Sequence, residues 1–258
     1  MNLEKRQQIG ARCASLSHLY AMIFATIALG GCASAEPTRI NVEDGKVFLP
    51  SLRAGFNLNE DKQPASEPQT GHAIEFNFAT ANGGDVQSID ASQPPLTLNN
   101  TTFAGPQQIR NDFNLSFASA SWRWRKFFKE RSLGLEVFAG AGRLSLGLDV
   151  TSPTQSASDH FVNWGPQGGA GLIWRISPGN SLQGRVTAFF SSSDGGAGNF
   201  LRSEIYYTKS ISDNLALRAG FASWEVSGQQ QTYNWTNNSD FNLMFSGPLL
   251  ALDINLNN

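Results

Sequence analysis

The chain has little of what soluble proteins of its size are usually built from. Charged residues make up only 16% of the 258 residues, and there are two cysteines and three histidines. Runs of helix-forming residues with a 3.6-residue apolar period are almost absent, which argues against a helical fold. The scarcity of cysteine and histidine leaves little material for disulfides or for a metal centre.

The first 35 residues have the composition of a secretory signal peptide. Lys5, Arg6 and Arg12 precede an uncharged apolar run from Leu19 to Leu29, and small residues follow up to Ala35. The apolar run is too short to span a bilayer permanently. The rest of the chain is therefore expected to be exported.

The cleavage region has two interpretations that the sequence leaves open. Leu29, Gly30, Gly31 and Cys32 resemble a bacterial lipobox, whose cleavage before residue 32 leaves a lipidated Cys32. Ala33-Ser34-Ala35 is instead an ordinary small-residue site that removes both cysteines. With Cys13 inside the signal, neither product can form an internal disulfide. Residues 36–46 then form a periplasmic lead.

Net charge excludes one class of partner. Removing residues 1–31 takes away three of 19 basic and one of 21 acidic residues, which leaves 16 against 20. A mildly acidic chain without basic clusters is not expected to bind nucleic acid.

Downstream of the signal the dominant period is two, which predicts β-strands of about ten residues separated by turn-forming clusters. Ile74, Phe76 and Phe78 alternate with small or polar residues, and the same holds for 133–141, 182–190, 215–222 and 250–256. Each strand therefore places one face in an apolar medium and the other in a polar one.

The polar face carries sparse charges of both signs among Gly, Ala, Ser and Asn. These charges are Glu75, Glu136, Arg175, Arg185, Arg202, Glu204, Arg218 and Asp253. A crowded, mutually neutralising set of this kind is typical of the interior of a small membrane barrel with a lipid-facing exterior. The sequence thus predicts an all-β, antiparallel up-and-down transmembrane β-barrel over residues 47–258. A secreted soluble β-barrel or sandwich is the alternative.

Connection lengths predict the orientation and the number of strands. Short turns at 126–131, 177–180 and 210–214 alternate with longer segments at 152–164, 191–199 and 227–240, as in barrels with short periplasmic turns and long external loops. Nine strand candidates result, the first at 47–58. An even number is expected, so we favour eight strands with 47–58 outside the wall. Ten strands result if another lies near 96–103.

Aromatic residues cluster near the predicted strand ends, as in the interfacial girdles of membrane barrels. The set comprises Trp122, Trp124, Phe127, Phe128, Trp164, Trp174, Tyr206, Tyr207 and Trp224.

The last strand candidate carries a family resemblance. The segment from Phe241 to Leu252 contains Gly247-Pro248 followed by alternating apolar residues. Together with the loop pattern it resembles the small outer-membrane barrels of the OmpA-type superfamily, in which such a pair often opens the final strand. The resemblance covers residue 71 onward and implies location in a Gram-negative outer membrane. It implies outer-membrane lipids and the barrel-assembly machinery as partners.

No motif for catalysis, metal binding or a cofactor stands out. The loop pair Asp159-His160 is interpreted as solvated, and the spacing of a lipid-modifying enzyme surrounds neither His72, at a strand start, nor His160. Ser191 to Gly196 is interpreted as a flexible loop, since it lacks the strand–turn–helix context of a phosphate loop. An eight-stranded barrel is filled by its own side chains, so no useful pore is expected.

The predicted function is therefore structural or surface-interacting, through external loops rich in Asn, Ser, Gln and Thr that present Tyr233 and Trp235 to an external ligand or partner. The alternatives are a lipid-modifying barrel enzyme and a lipid-anchored soluble β-barrel that binds an apolar ligand.

Overall fold

The computed structural model describes residues 39–41, 47–58, 70–128, 132–193, 196–231 and 238–256. The predicted signal, the lipobox and Cys32 lie outside the described residues. The described part forms twelve strands: β1 Arg39–Asn41, β2 Leu49–Asn57, β3 Gly71–Ile89, β4 Leu96–Leu98, β5 Thr101–Phe103, β6 Gln107–Phe128, β7 Leu133–Thr151, β8 Ser156–Ser177, β9 Asn180–Ser193, β10 Gly196–Ser210, β11 Leu215–Gln231 and β12 Asn238–Asn255. Within these residues no helix is long and apolar enough to cross a bilayer.

Nine of these strands form a closed ring. The order β2, β3, β6, β7, β8, β9, β10, β11, β12 follows the chain, and each of these neighbours is antiparallel. The ring closes through a parallel pairing of β12 with β2, from Leu249 opposite Leu49 to Asn255 opposite Gly55. The short β1 lies parallel to an earlier part of β12.

The all-β architecture is as predicted, but both expected strand numbers are wrong. The segment 47–58 is part of the wall, because β2 alternates between the buried Arg53 and the outward Leu52 and Phe56. The region 96–103 is a separate hairpin of β4 and β5, not a tenth wall strand. An odd number of strands connected in up-and-down order requires one parallel pair, which β2 and β12 supply.

The two ends of the ring differ, and we name them by their connections. The turn end carries the Ser177–Asn180 turn, where Pro178 and Gly179, with φ of 74°, suit the central positions of a type II turn. The hairpin end carries β4 and β5, joined by Asn99 and Asn100, both with positive φ as a tight hairpin turn needs.

The long external loops predicted at 152–164 and 191–199 are wrong, because most of those residues continue the strands. β7 runs to Thr151 and β8 begins at Ser156, across a tight turn in which Ser152 N–H donates to the Gln155 carbonyl. His160 is consequently a strand residue. Ser is a turn former in a sequence, but here Ser156 and Ser158 occupy the outward face of β8, whose inward face at Phe161 is apolar. Residues 232–237, with Tyr233 and Trp235, lie outside the described part.

Gly247-Pro248 also has a different position from the predicted one, because it lies in the middle of β12. Pairing with β1 ends at Met244 and pairing with β2 begins at Leu249. Pro248 lies between them, so its missing N–H leaves no hydrogen bond of the sheet unmade on that side. A Cβ at Gly247 would collide with the carbonyl oxygen of Val47, which approaches in this interval. The pair therefore fits the break between β1 and β2.

The ring interior has two layers, one apolar and one charged. The apolar layer, which we call the aromatic layer, lies toward the hairpin end and is joined by ring contacts such as Phe117 to Phe200 at 4.7 Å and Trp224 to Phe245 at 6.0 Å. Beyond it, the hairpin contributes Leu96, Leu98 and Phe103, all fully buried. The aromatic layer comprises Phe113, Phe117, Phe161, Phe189, Phe200, Trp224, Phe241 and Phe245.

The ring exterior has the opposite arrangement. Around the turn end is an apolar belt of exposed side chains: Leu52, Phe56, Phe76, Phe78, Trp122, Leu133, Trp164, Leu172, Trp174, Val186, Phe190, Leu201, Ile205, Phe221, Leu250 and Leu252. Around the hairpin end the outward side chains form a polar collar that includes Asn82, Arg110, Asp112, Asn114, Ser116, Arg143, Ser145, Asp149, Ser158 and His160. The polarity of both faces thus reverses along the same strands.

Candidate functional site

The charged layer fills the interior of the ring behind the apolar belt. It consists of six arginines and four acids that point inward from eight strands: Arg53, Glu75, Arg123, Arg125, Glu136, Arg185, Arg202, Glu204, Arg218 and Asp253. Each occupies the inward position that strict alternation along its strand dictates.

Glu75 is the centre of the larger cluster. Its carboxylate is fully buried and accepts hydrogen bonds from Arg185 at 2.7 Å and from Arg123 at 2.9 Å, while the Nε of Arg53 lies 3.5 Å away. Three strands besides β3 therefore converge on one side chain. Ion pairs of this kind hold distant parts of the chain in register, since Glu75 and Arg185 are 110 residues apart.

Glu136 joins the same cluster from β7. Arg125 donates to it at 2.7 Å, and the Nη1 of Arg185 lies 3.6 Å from its other oxygen. Arg185 thereby bridges the two glutamates. Glu136 is 1% exposed, so removal of either partner would leave a buried charge without compensation.

A smaller cluster lies on β10, β11 and β12. Arg202 pairs with Glu204 on its own strand. The Nε of Arg218 lies 2.8 Å from Asp253, whose side chain is 25% exposed. Asp253 lies 3.8 Å from Arg53 as well, which connects the two clusters.

Aromatic faces cover the arginines where carboxylates do not. The guanidinium of Arg185 lies 3.8 Å from the ring centre of Phe138, and that of Arg202 lies 4.7 Å from that of Trp224. Arg218 and Arg53 lie over Tyr206 at 4.9 and 5.8 Å. Such cation–π contacts stabilise partly desolvated cations and join the charged layer to the aromatic layer.

The structure brings together most of the charges that the sequence singled out. Glu75, Glu136, Arg185, Arg202, Glu204 and Arg218 are all buried, and Asp253 is partly buried. Arg175 lies apart at the turn end, and no ion pair to it is formed within the described residues. Sequence reasoning missed Arg53, Arg123 and Arg125. Their alternation with Leu52, Trp122 and Trp124 indicates that they lie on the face opposite these apolar side chains.

Two of the predicted girdle residues are inside the ring, contrary to expectation. Tyr206 and Trp224 are 1% exposed, and the Tyr206 hydroxyl donates to Gln183 at 3.2 Å. Trp122, Trp164 and Trp174 do face outward in the apolar belt, with exposed fractions of 43, 69 and 58%.

A polar cavity of about 180 Å³ opens at the turn end, next to the charged layer. Its charged lining consists of Arg53, Arg123, Arg125, Arg175, Asp213 and Asp253, together with His72. Turn and strand residues with hydroxyl and amide groups, such as Asn180 and Thr208, complete the wall. The cavity ends at the charged layer, behind which the packed rings of the aromatic layer occupy the interior.

One further pair of chemically active side chains lies on the outer surface. The Ser145 Oγ and the His160 Nε2 are 3.4 Å apart in the polar collar. They come from adjacent strands, β7 and β8. Because they are 15 residues apart in the chain, the sequence alone does not indicate that they meet. The Asn114 amide lies over Gly147, whose strand position is directly beside that of His160.

Among the described residues, no group of three or more His, Cys, Asp or Glu side chains is placed to hold a metal ion. In comparisons with protein-family models, with curated proteins and with solved structures, nothing matches this chain. The fold and the charged layer therefore carry the functional inference by themselves.

Proposed function

We propose that this protein is an outer-membrane β-barrel protein of structural or surface-interacting type, closed to solute flow. In this proposal the apolar belt lies in the bilayer, and the polar collar with the β4–β5 hairpin stands outside it. The turn end faces the periplasm, as it does in the OmpA-type barrels that the sequence resembles. The observation that carries the proposal is the reversal of polarity along the same strands.

The belt has the height that a bilayer needs. Trp164 and Trp174 lie ten residues apart on the outward face of β8 and mark its two edges. Ten rises of about 3.3 Å at a tilt of about 40° give about 25 Å along the ring axis, the height of the apolar band of membrane barrels. Exposure of this much apolar surface in water would strongly favour aggregation.

The interior supports a closed protein in preference to a pore. A continuous charged layer and a continuous aromatic layer occupy the interior one above the other, and the hairpin adds Leu96, Leu98 and Phe103 at the far end. A permeating solute would have to displace buried ion pairs and packed rings. We therefore expect conductance in planar bilayers at the level of the bare membrane.

The alternative of a soluble barrel that binds an apolar ligand receives less support. It requires the Leu and Phe faces of the alternating strands to point inward, whereas Phe76, Phe78, Val186 and Phe190 point outward. Where the inward face is apolar, toward the hairpin end, the side chains pack against one another.

The proposal is tested by gel mobility of the protein extracted from isolated outer membranes, with and without boiling. A closed membrane barrel resists detergent until it is heated, so a heat-dependent shift is expected. Identical mobility, together with release of the protein by a salt or alkaline wash, would contradict the proposal.

A second function, hydrolysis of lipid esters, is favoured by the Ser145–His160 pair. The pair lies just above the apolar belt, where ester bonds of bilayer lipids are located. In this reaction His160 accepts the proton of the Ser145 hydroxyl as its oxygen attacks the ester carbonyl, and returns that proton to the leaving alcohol. Water then hydrolyses the acyl-serine. The separation of 3.4 Å is within the range of unliganded catalytic pairs.

This second function is tested by labelling with a fluorophosphonate probe. Labelling is expected in the native protein and is expected to disappear in Ser145→Ala and to weaken in His160→Ala, while the matched control Ser158→Ala on the same collar remains labelled. Equal labelling of the native protein and Ser145→Ala, or none of the native protein, would exclude it.

A further inference from the structure

The charged layer has more cations than anions. Six arginines face four acids in the interior, and the acids are shared: Glu75 lies within 3.5 Å of three arginines, and Glu136 contacts two. Two positive charges are therefore left without a carboxylate of their own. Burial of a charge is costly unless a charge of opposite sign compensates it, so a bound anion would stabilise an excess of this kind.

Several arginines of the charged layer have a buried guanidinium nitrogen without a hydrogen-bond acceptor, and two of these arginines line the turn-end cavity. Arg53 and Arg125 both line it, and the Nε of each is buried without a hydrogen-bond acceptor. Arg53 is 4% exposed and its Nε lies 3.5 Å from Glu75 and 3.8 Å from Asp253, so Arg53 is the buried inner wall of the cavity. Within the described residues, Arg175 lines the same cavity without an ion pair.

The cavity has the size and the sign for a small oxyanion. Its volume of about 180 Å³ is far above that needed by one water molecule. Four arginines line it against two carboxylates, Asp213 and Asp253, and Asp253 is already engaged by Arg218 at 2.8 Å. Guanidinium groups bind phosphate oxygens with paired N–H donors.

We propose that the turn-end cavity is a binding site for a phosphate group, held by Arg125 and Arg175 with Arg53 beneath it. The group is either a free phosphate or the terminal phosphate of a small phosphomonoester, since both present the same oxygens to the cavity. This site does not depend on the apolar belt lying in a bilayer, and it is separate from the Ser145–His160 pair on the collar.

The test measures binding of inorganic phosphate to the full-length protein in detergent micelles by calorimetry, at constant ionic strength with sodium chloride as the replacement salt. Saturable binding with one site per chain is expected. Glycerol 3-phosphate, measured in the same way, distinguishes the two sources: tighter binding than inorganic phosphate identifies a phosphomonoester, and weaker binding identifies free phosphate.

The variant Arg175→Gln removes one proposed ligand without breaking an ion pair of the charged layer, so it is expected to fold. Its phosphate affinity should fall tenfold or more, by about the strength of a charged hydrogen bond. The matched control Arg110→Gln removes an exposed arginine at the hairpin end and should bind as the native protein does. Absence of saturation up to about 10 mM phosphate, a concentration well above the dissociation constants of specific sites, would overturn the proposal. So would equal affinity in Arg175→Gln and the native protein.

Discussion

The two halves of this ring have opposite kinds of side chain in their interiors and on their exteriors. Around the turn end, ion pairs fill the interior and apolar side chains cover the outside; around the hairpin end, phenylalanine and tryptophan rings fill the interior and polar side chains cover the outside. Because eight of the nine ring strands, all but β2, run through both halves, the strand architecture does not fix which face is apolar. In the proposed function the medium outside does, because the apolar belt then lies in lipid and the polar collar in water.

The comparison also shows how differently the two interiors are stabilised. The aromatic layer gains from removal of apolar area from water and from ring contacts, which are non-directional or weakly directional. The charged layer gains only while its partners stay paired, because each buried charge has a large desolvation cost. Substitutions should therefore be tolerated in the aromatic layer in proportion to volume, and in the charged layer according to how many partners are lost.

The largest effect is expected from Glu75→Gln. This change leaves Arg53, Arg123 and Arg185 without their shared carboxylate and should lower the free energy of unfolding by about 3–5 kcal/mol. Urea unfolding in micelles, followed by tryptophan fluorescence, measures it. The matched control is Glu204→Gln, which deprives one arginine, Arg202, of its partner and should cost less. Equal losses for the two variants would mean that the sharing of Glu75 has no energetic consequence.

Trp224→Ala probes the aromatic layer. Trp224 is 1% exposed and contacts Phe117, Phe200 and Phe245, so its truncation should leave a cavity and cost about 3–5 kcal/mol. In contrast, Trp164→Ala removes an outward ring that is 69% exposed and should change the same urea midpoint far less. A larger loss at Trp164 than at Trp224 would reverse the assignment of inside and outside.

A charge in the apolar belt sharpens the contrast between the two exterior zones. Val186→Arg places a cation near the middle of the belt and should cost about 2–4 kcal/mol when the protein is folded into phospholipid vesicles. Ser158→Arg makes the same addition in the polar collar and should stay within about 0.5 kcal/mol of the native protein. If both variants insert and fold equally well, the belt does not face lipid.

The smallest effect is expected from the exposed ion pair of the collar. Arg110 donates to Asp112 at 2.9 Å, but both side chains are largely exposed, so a double-mutant cycle with Arg110→Gln and Asp112→Asn should give a coupling of about 0.2–1 kcal/mol that weakens with salt. The cycle of Arg185→Gln with Glu75→Gln should give a larger coupling that added salt changes little. Similar values for the two cycles would remove the distinction between buried and exposed pairs.

Much of the turn-end half could be predicted from sequence because its pattern is strict. Apolar residues such as Phe76 and Phe78 alternate with Ala, Asn and isolated charges. This alternation predicts the strands, which face of each is apolar, and the inward position of charges such as Glu75 and Arg185. Arg53 follows from the same alternation, but the expectation of an even strand count places its segment outside the wall.

The hairpin-end half could not be predicted in the same way. There the outward residues are Ser, Asp, Asn and His, as at Ser156, Ser158 and His160, and their turn propensity obscured the strand pattern. The pairing of β2 with β12 joins residues 200 positions apart, and the Ser145–His160 pair depends on the register between β7 and β8. Neither kind of contact leaves a local signal in one sequence.

Placement of the apolar belt in the bilayer is tested most directly by fluorescence quenching in vesicles of brominated phospholipid. Two single-tryptophan variants serve, each with the other tryptophans replaced by phenylalanine: one retains Trp174 on the belt, and the other retains Trp224 in the aromatic layer. Strong quenching of Trp174 with little quenching of Trp224 is the expected result. Equal quenching of both, or none of Trp174 in protein shown to be folded, would contradict the membrane-spanning belt.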